Sequence, residues 1–177
     1  MRIIGGKYRG RVLSTFEGEA VRPTADRVKE SLFNILSTRL YGARVLDLFC
    51  GSGALGLESI SRGAGHVTFN DAAKTSIAIL KKNLQKLGET DVTVFCHDYS
   101  LCLDLLSGQF DLIFLDPPYA MDAGKKALVK IAEKGLLSND GVAVYECDKP
   151  FSGEVEGLEA YDERKYGKTY LTFFRKV

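Results

Sequence analysis

Apolar positions along the chain form short runs bounded by glycine or acidic residues. These alternate with longer stretches in which apolar residues recur three and four apart. The runs predict strands over Ala43–Phe49, His66–Asn70, Asp91–Cys96, Phe110–Asp116, Gly141–Cys147, Gly157–Glu163 and Thr169–Arg175. The stretches predict helices over Ala54–Ser61, Ala72–Leu87, Tyr99–Leu106 and Ala123–Lys134, with Ile77, Leu80, Leu84 and Leu87 as the clearest sheet-facing stripe. Ahead of the first strand, Thr24 is placed to cap a helix from about Ala25 to Thr38, preceded by Pro23, in which Val28, Leu32, Ile35 and Leu36 share one face.

Strand–helix alternation of this kind means an α/β fold, a doubly wound, mostly parallel seven-stranded sheet of Rossmann-like type. The last two strands have no helix between them and so predict an antiparallel C-terminal hairpin. No repeat or linker divides the chain. It reads as a basic N-terminal arm and helix over 1–40, then one domain over 41–177.

Composition adds exclusions. With 45% hydrophobic and 27% charged residues the chain has the make-up of a folded globular protein. No apolar run approaches the roughly 18 residues of a membrane span, and the first residues lack the apolar stretch of a signal peptide, so the expectation is a cytoplasmic monomer with no membrane partner. Cys50, Cys96, Cys102 and Cys147 have no C-x-x-C spacing and read as reduced thiols. His66 and His97 have no close partner ligand, so no metal is expected.

The net charge of +1 is unevenly spread: residues 1–40 hold eight basic against four acidic side chains, a net +4, which leaves −3 elsewhere. Arg2, Lys7, Arg9 and Arg11, interleaved with Gly5, Gly6, Tyr8 and Gly10, read as a pliable arm suited to lie along phosphates.

Gly51-Ser52-Gly53-Ala54-Leu55-Gly56 follows the first strand directly with G-x-G-x-x-G spacing. Glycines there let the backbone turn sharply into a helix and approach a ligand closely, although a tight strand–helix turn without a ligand needs the same residues. Asp71 ends the second strand, where its carboxylate suits the two hydroxyls of a ribose; the alternative is a cap for the following helix. These features suit an adenosyl ligand or a dinucleotide equally. Asp47, a carboxylate just before the turn, favours S-adenosylmethionine, because it would attract a cationic ammonium or sulfonium and repel a pyrophosphate. Its alternative role is to stabilise the turn. Asp98 and Tyr99 follow the third strand at the sheet's carboxyl edge, positioned to accept from an adenine amino group and to donate through the Tyr99 N–H, with an N-cap as the plainer role for Asp98.

Asp116-Pro117-Pro118-Tyr119 leaves the fourth strand at the same sheet edge. Two prolines fix φ and remove two N–H donors, which leaves the Asp116 carboxylate and nearby carbonyls as a rigid set of acceptors. An exocyclic ring amine suits that set. Its lone pair is delocalised into the ring, and acceptors on its two hydrogens favour a free lone pair and stabilise the developing positive charge. Asp116 is then the proton acceptor or relay, and Tyr119 a surface on which an extracted base stacks.

Together these residues resemble the class I S-adenosylmethionine-dependent methyltransferases that carry an Asp-Pro-Pro-Tyr motif. Arg22-Pro23-Thr24, Arg27 to Asn34, Val45 to Phe49 with its glycine turn, Gly5 to Arg11 and Tyr166 to Thr169 are more narrowly similar to the bacterial 16S ribosomal RNA guanine-N2 methyltransferases of the guanine-966 type. That resemblance spans nearly the whole chain. It implies S-adenosylmethionine as donor, a guanine of 16S ribosomal RNA or of an assembling small-subunit particle as acceptor, and RNA contacts from the basic arm and from Arg22 and Arg27. Two departures stand out: Cys50 replaces a usual alanine, and Asn70-Asp71 replaces a more typical Glu-led stretch, leaving Asn70 as a possible helper of Asp71. Adenine-N6 methylation of RNA or DNA asks for the same acceptors, although a chain of 177 residues has little surface for reading a duplex. A ribosome-assembly factor without catalysis and a protein-glutamine methyltransferase are the remaining alternatives.

Overall fold

A computed structural model of the chain describes residues 1–18, 23–118 and 122–177. After a 3-10 turn at Gly6–Tyr8, helix α1 (Pro23–Ile35) leads into β1 (Arg44–Asp47), α2 (Ala54–Ser61), β2 (His66–Asn70), α3 (Lys74–Leu87), β3 (Val92–Phe95), α4 (Tyr99–Leu105) and β4 (Phe110–Leu115). Helix α5 (Ala123–Glu133) and strands β5 (Leu137–Cys147), β6 (Leu158–Tyr166) and β7 (Thr169–Lys176) complete the chain. The seven strands form one sheet in the order β3-β2-β1-β4-β5-β7-β6. β1 to β5 pair in parallel, and β7 runs antiparallel to both β5 and β6. This is the doubly wound, mostly parallel sheet with a C-terminal hairpin that the alternation predicts.

The central strands are apolar on both faces because both are covered. One layer joins α1, α2 and α3 to Val45, Val67, Leu112 and Val144. The other joins α4 and α5 to Leu46, Ile113, Leu115 and Ala143. The stripe Ile77, Leu80, Leu84 and Leu87 is buried as expected. Ile35 is not: it is 39% exposed, because α1 stops there and tightens into a 3-10 turn at Ser37–Arg39, which leaves Val28, Leu32 and Leu36 as the packed face. β5 starts four residues before the predicted Gly141. Asn139-Asp140-Gly141 reads as a turn, yet the ladder absorbs it through a register shift opposite Phe110 and Leu112.

The first thirteen residues are not a pliable arm. They close into a small antiparallel turn, with Arg2 bridging Val12 and with Ile3 and Leu13 buried in the core. Glu58, completely buried on α2, holds this segment. Its carboxylate accepts from the N–H groups of Ile4 (2.9 Å) and Gly5 (2.8 Å) and from Arg62 Nε (2.8 Å), with Lys29 Nζ at 3.4 Å. Lys29, which also donates to the Arg2 carbonyl, is thereby withdrawn from the surface, and burial lowers its pKa.

Removing the carboxylate would strand these donors. Glu58→Ala should cost about 3–5 kcal/mol, the range for breaking a buried ion pair from one side, and should expose residues 1–13 to proteolysis. Urea unfolding that shows a loss under about 1 kcal/mol would contradict the anchoring role, since even one buried unpaired charge exceeds that cost.

Candidate active site

β1 and β4 are neighbours in the sheet, although the chain winds outward through β2 and β3 before returning to β4. In such sheets the crevice lies beyond the carboxyl ends of the strands, where the winding reverses. A cleft of about 560 Å³ opens at that edge, lined by Gly51, Ser52, Asp71, Asp98, Tyr99, Asp116, Pro117 and Pro118 among others. Of the residues expected to share a site, Gly51, Asp71, Asp98, Tyr99, Asp116, Pro117 and Pro118 line this one cleft.

The glycine turn divides its labour. Gly51 faces the cleft. Gly53 starts α2 in the left-handed region (φ +94°) and is backed by Leu57 and Leu80, while a Cβ on Gly56 would overlap the Phe69 ring. The second and third glycines thus let α2 lie close to the sheet and do not line the cleft. Asp47 also lies beneath the turn. It is 2% exposed, and Oδ2 accepts the Gly56 N–H at 2.8 Å. Burial raises its pKa to about 7, against the lowering effect of that hydrogen bond, with the negative charges of Asp116 and Asp71 adding to the rise.

Asp71 closes the turn from the other side. Its Oδ2 accepts from Gly51 N at 2.9 Å and its Oδ1 from Ala73 N at 2.8 Å. It does not cap α3, whose N-cap position is Ala73. Each of its oxygens keeps a lone pair for a ligand hydroxyl. Asp98 is the N-cap of α4, accepting from Ser100 N at 2.8 Å, and is exposed at the cleft. The Tyr99 ring packs on Phe49 with centroids 5.5 Å apart, forming one wall.

Asp116 opens onto the cleft on one side and is crowded by protein on the others, a half-dry setting that raises its pKa. Pro117 is buried and Pro118 exposed; Tyr119 lies outside the described residues.

Several site residues escaped the sequence reading. Glu146, near the end of β5, lines the cleft, and its pKa is raised by burial and further by Asp116. Its one signal was an acid within the apolar candidate strand Gly141–Cys147. Phe16 reaches the cleft from the N-terminal segment and Phe49 from the end of β1. Asn70, which borders the cleft beside Asp71, commits its amide to the backbone. It is 1% exposed and donates to the carbonyls of Leu48 and His97 (3.1 Å each) while accepting the His97 N–H, tying together the ends of the first three strands.

The model of a family described as "Conserved hypothetical protein 95" matches residues 1–175. The chain belongs to this family. A Bacillus subtilis (strain 168) protein provisionally named as an rRNA methyltransferase is 38% identical over 182 aligned positions, covering 99% of each chain. The Haemophilus influenzae protein named Ribosomal RNA small subunit methyltransferase D is 40% identical over 154 positions, covering 84% of this chain and 79% of that protein. A solved Escherichia coli structure, titled provisionally as a methyltransferase, superposes with a TM-score of 0.88 at 27% identity over 99% of this chain and 97% of that one.

In this family member the basic residues expected to meet RNA differ in their partners. Arg2 pairs with Asp26 (3.0 Å) and Lys7 with Glu89 (2.6 Å). Arg9, Arg11 and Arg27 are exposed and make no ion pair among the described residues, and Arg22 lies outside them. The Gly6–Tyr8 turn docks on Ser61, at the end of α2 away from the cleft, with Tyr8 N donating to Ser61 Oγ at 2.9 Å. Eight helical residues put about 12 Å between that turn and the cleft.

The buried Asp47 makes stability depend on pH. Its folded pKa exceeds the ordinary value of 3.8, so the native state binds the extra proton between 3.8 and about 7, and stability falls as pH rises through that window. Asp47→Asn keeps an acceptor for Gly56 and should gain stability over the parent at pH 8, with the gain fading towards pH 4. Parallel pH profiles of the two proteins in denaturant titrations would contradict this placement of Asp47.

Proposed function

We propose that this protein transfers a methyl group from S-adenosylmethionine to the exocyclic N2 of a guanine in 16S ribosomal RNA, in the assembling small subunit in the cytoplasm. The observation that carries the reading is the meeting of Asp116-Pro117-Pro118 with the glycine turn in one acid-lined cleft at the switch point, in a chain whose relatives are named for ribosomal RNA methylation.

The cleft suits the donor chemically. Asp71 offers lone pairs to ribose hydroxyls, and Asp98 and the Tyr99–Phe49 wall frame a space for an adenine. Asp47, under the floor, adds negative charge that a cationic ligand relieves. The bound donor supplies an electrophilic methyl on a positively charged sulfur. Asp116 holds the acceptor amine by its hydrogens. As the nitrogen lone pair forms the new N–C bond, the methyl–sulfur bond breaks with its electrons left on sulfur, and the nitrogen gives up a proton to Asp116. A carboxylate held above its ordinary range is a stronger base for that step. Pro117 and Pro118 keep the acceptors in place, and we assign Tyr119 the stacking surface. Arg2, Lys7, Arg9, Arg11, Arg22 and Arg27, in the 1–40 segment, are the RNA contacts of this reading; among the described residues Arg9, Arg11 and Arg27 make no ion pair.

Two measurements test it. Small-subunit particles from cells lacking the protein, incubated with labelled S-adenosylmethionine and digested to nucleosides, should yield labelled N2-methylguanine; labelled N6-methyladenine in its place would sink the guanine reading. Asp116→Ala should bind S-adenosylhomocysteine with affinity within about threefold of the parent while methyl transfer falls at least about a hundredfold, on the scale of a lost acid–base or electrostatic group. Undiminished transfer would remove Asp116 from the chemistry.

A further inference from the structure

We infer that Glu146 reads the acceptor base: its carboxylate accepts the guanine N1–H while Asp116 accepts the neighbouring N2–H. This rests on the proposed function and goes beyond it by naming what selects the base. β4 and β5 pair in parallel with Leu115 opposite Tyr145, so Asp116 and Glu146 stand one residue further on, at the same level of adjacent strands. Adjacent strands are about 4.8 Å apart. Side chains alternate along a strand. Phe114 and Val144 face the layer formed with α1, α2 and α3, whereas Leu115 and Tyr145 face the other, so Asp116 and Glu146 continue on the same face. Both line the cleft.

Among the described residues nothing else uses this carboxylate. Among the described residues Glu146 makes no hydrogen bond and no ion pair, unlike Asp47, Asp71 and Asp98, each of which is tied to a backbone N–H. Its strand neighbours, Tyr145 and Cys147, are turned to other contacts, the Tyr145 hydroxyl donating to Cys147 Sγ. A half-buried carboxylate held beside a second one, without a donor, is a cost that a ligand with two adjacent N–H donors removes.

Guanine presents that pair on its Watson–Crick edge, with N1–H next to the N2 amine. Adenine presents an N6 amine next to N1, which is an acceptor, and so opposes the ionised form of Glu146 with a lone pair, whereas the N1–H of guanine favours that ionised form against the burial and the Asp116 charge that disfavour it. The Asp-Pro-Pro segment serves either amine. Glu146 is therefore the specificity-determining residue, and discrimination arises because the wrong base leaves a buried acceptor unmatched.

The test uses the full chain and small-subunit particles from cells lacking it. The wild-type protein is first required to form N2-methylguanine; if it does not, the proposed function fails and this inference falls with it. Given that product, Glu146→Gln should lower kcat/KM for guanine by about 10- to 100-fold, the range for one charge-assisted hydrogen bond, with S-adenosylhomocysteine affinity within about threefold of wild type. Once the target is mapped, substrate RNA carrying 2-aminopurine there keeps the amine and lacks N1–H. Wild type should methylate it at least about tenfold more slowly than guanine, and Glu146→Gln should narrow that gap, since an amide can donate to the bare N1. An unchanged rate in Glu146→Gln overturns the inference, as does a matching loss of S-adenosylhomocysteine affinity, which would assign Glu146 to the donor. If the variant does not fold, equal rates on guanine and 2-aminopurine by the wild type overturn it alone.

Discussion

The turn between β1 and α2 keeps its shape because carboxylates hold its backbone from below and from the side: Asp47 accepts the Gly56 N–H and Asp71 accepts the Gly51 N–H. Everything at the carboxyl edge is referred to that turn. α2 begins from it, its glycines let the helix settle on Phe69 and Leu80, and the cleft floor is its outer surface. The same carboxylates charge the site. An acid kept 2% exposed with its pKa near 7 opposes folding above that pH. With Asp71, Asp116 and Glu146 nearby, the cleft is electrostatically incomplete until something positive or rich in donors enters it.

A second constraint comes from the amino-terminal segment. Glu58 pins Ile4 and Gly5, and Asn83, fully buried on α3, accepts the Ser14 N–H while donating to the carbonyls of Ser14 and Ser52. Ser52 belongs to the glycine turn, so the outer segment and the cleft floor share one side chain. Phe16 then carries the segment to the cleft itself. The amino-terminal segment that carries Arg9 and Arg11 is therefore tied by hydrogen bonds to the turn that floors the cleft. The charge first read as a phosphate-binding arm is partly spent on neighbouring carboxylates at the surface, Arg2 on Asp26 and Lys7 on Glu89.

The family relationship and the cleft together narrow a motif that is generic by itself. Asp-Pro-Pro provides acceptors for an amine, and amines occur on guanine, adenine and glutamine alike. What separates these acceptors is the neighbour of the amine, and the carboxylate inferred to meet that neighbour sits on β5, a strand distant in sequence from the motif.

The succession of strands and helices, the antiparallel ending, the glycine turn and the acids that end each strand were legible in the sequence, because they follow from period, turn chemistry and local capping. Each depends on residues within a few positions of one another. Glu146, Asn70, Glu58 and Phe16 were not legible, because their meaning comes from partners 22 to 54 positions away: Asp116 from Glu146 across one strand pair, His97 and Leu48 around Asn70, Ile4 on Glu58, the cleft around Phe16. Local chemistry determined which residues could react; the sheet order, which sets β5 beside β4 and the amino-terminal segment against α2 and α3, decided which of them meet.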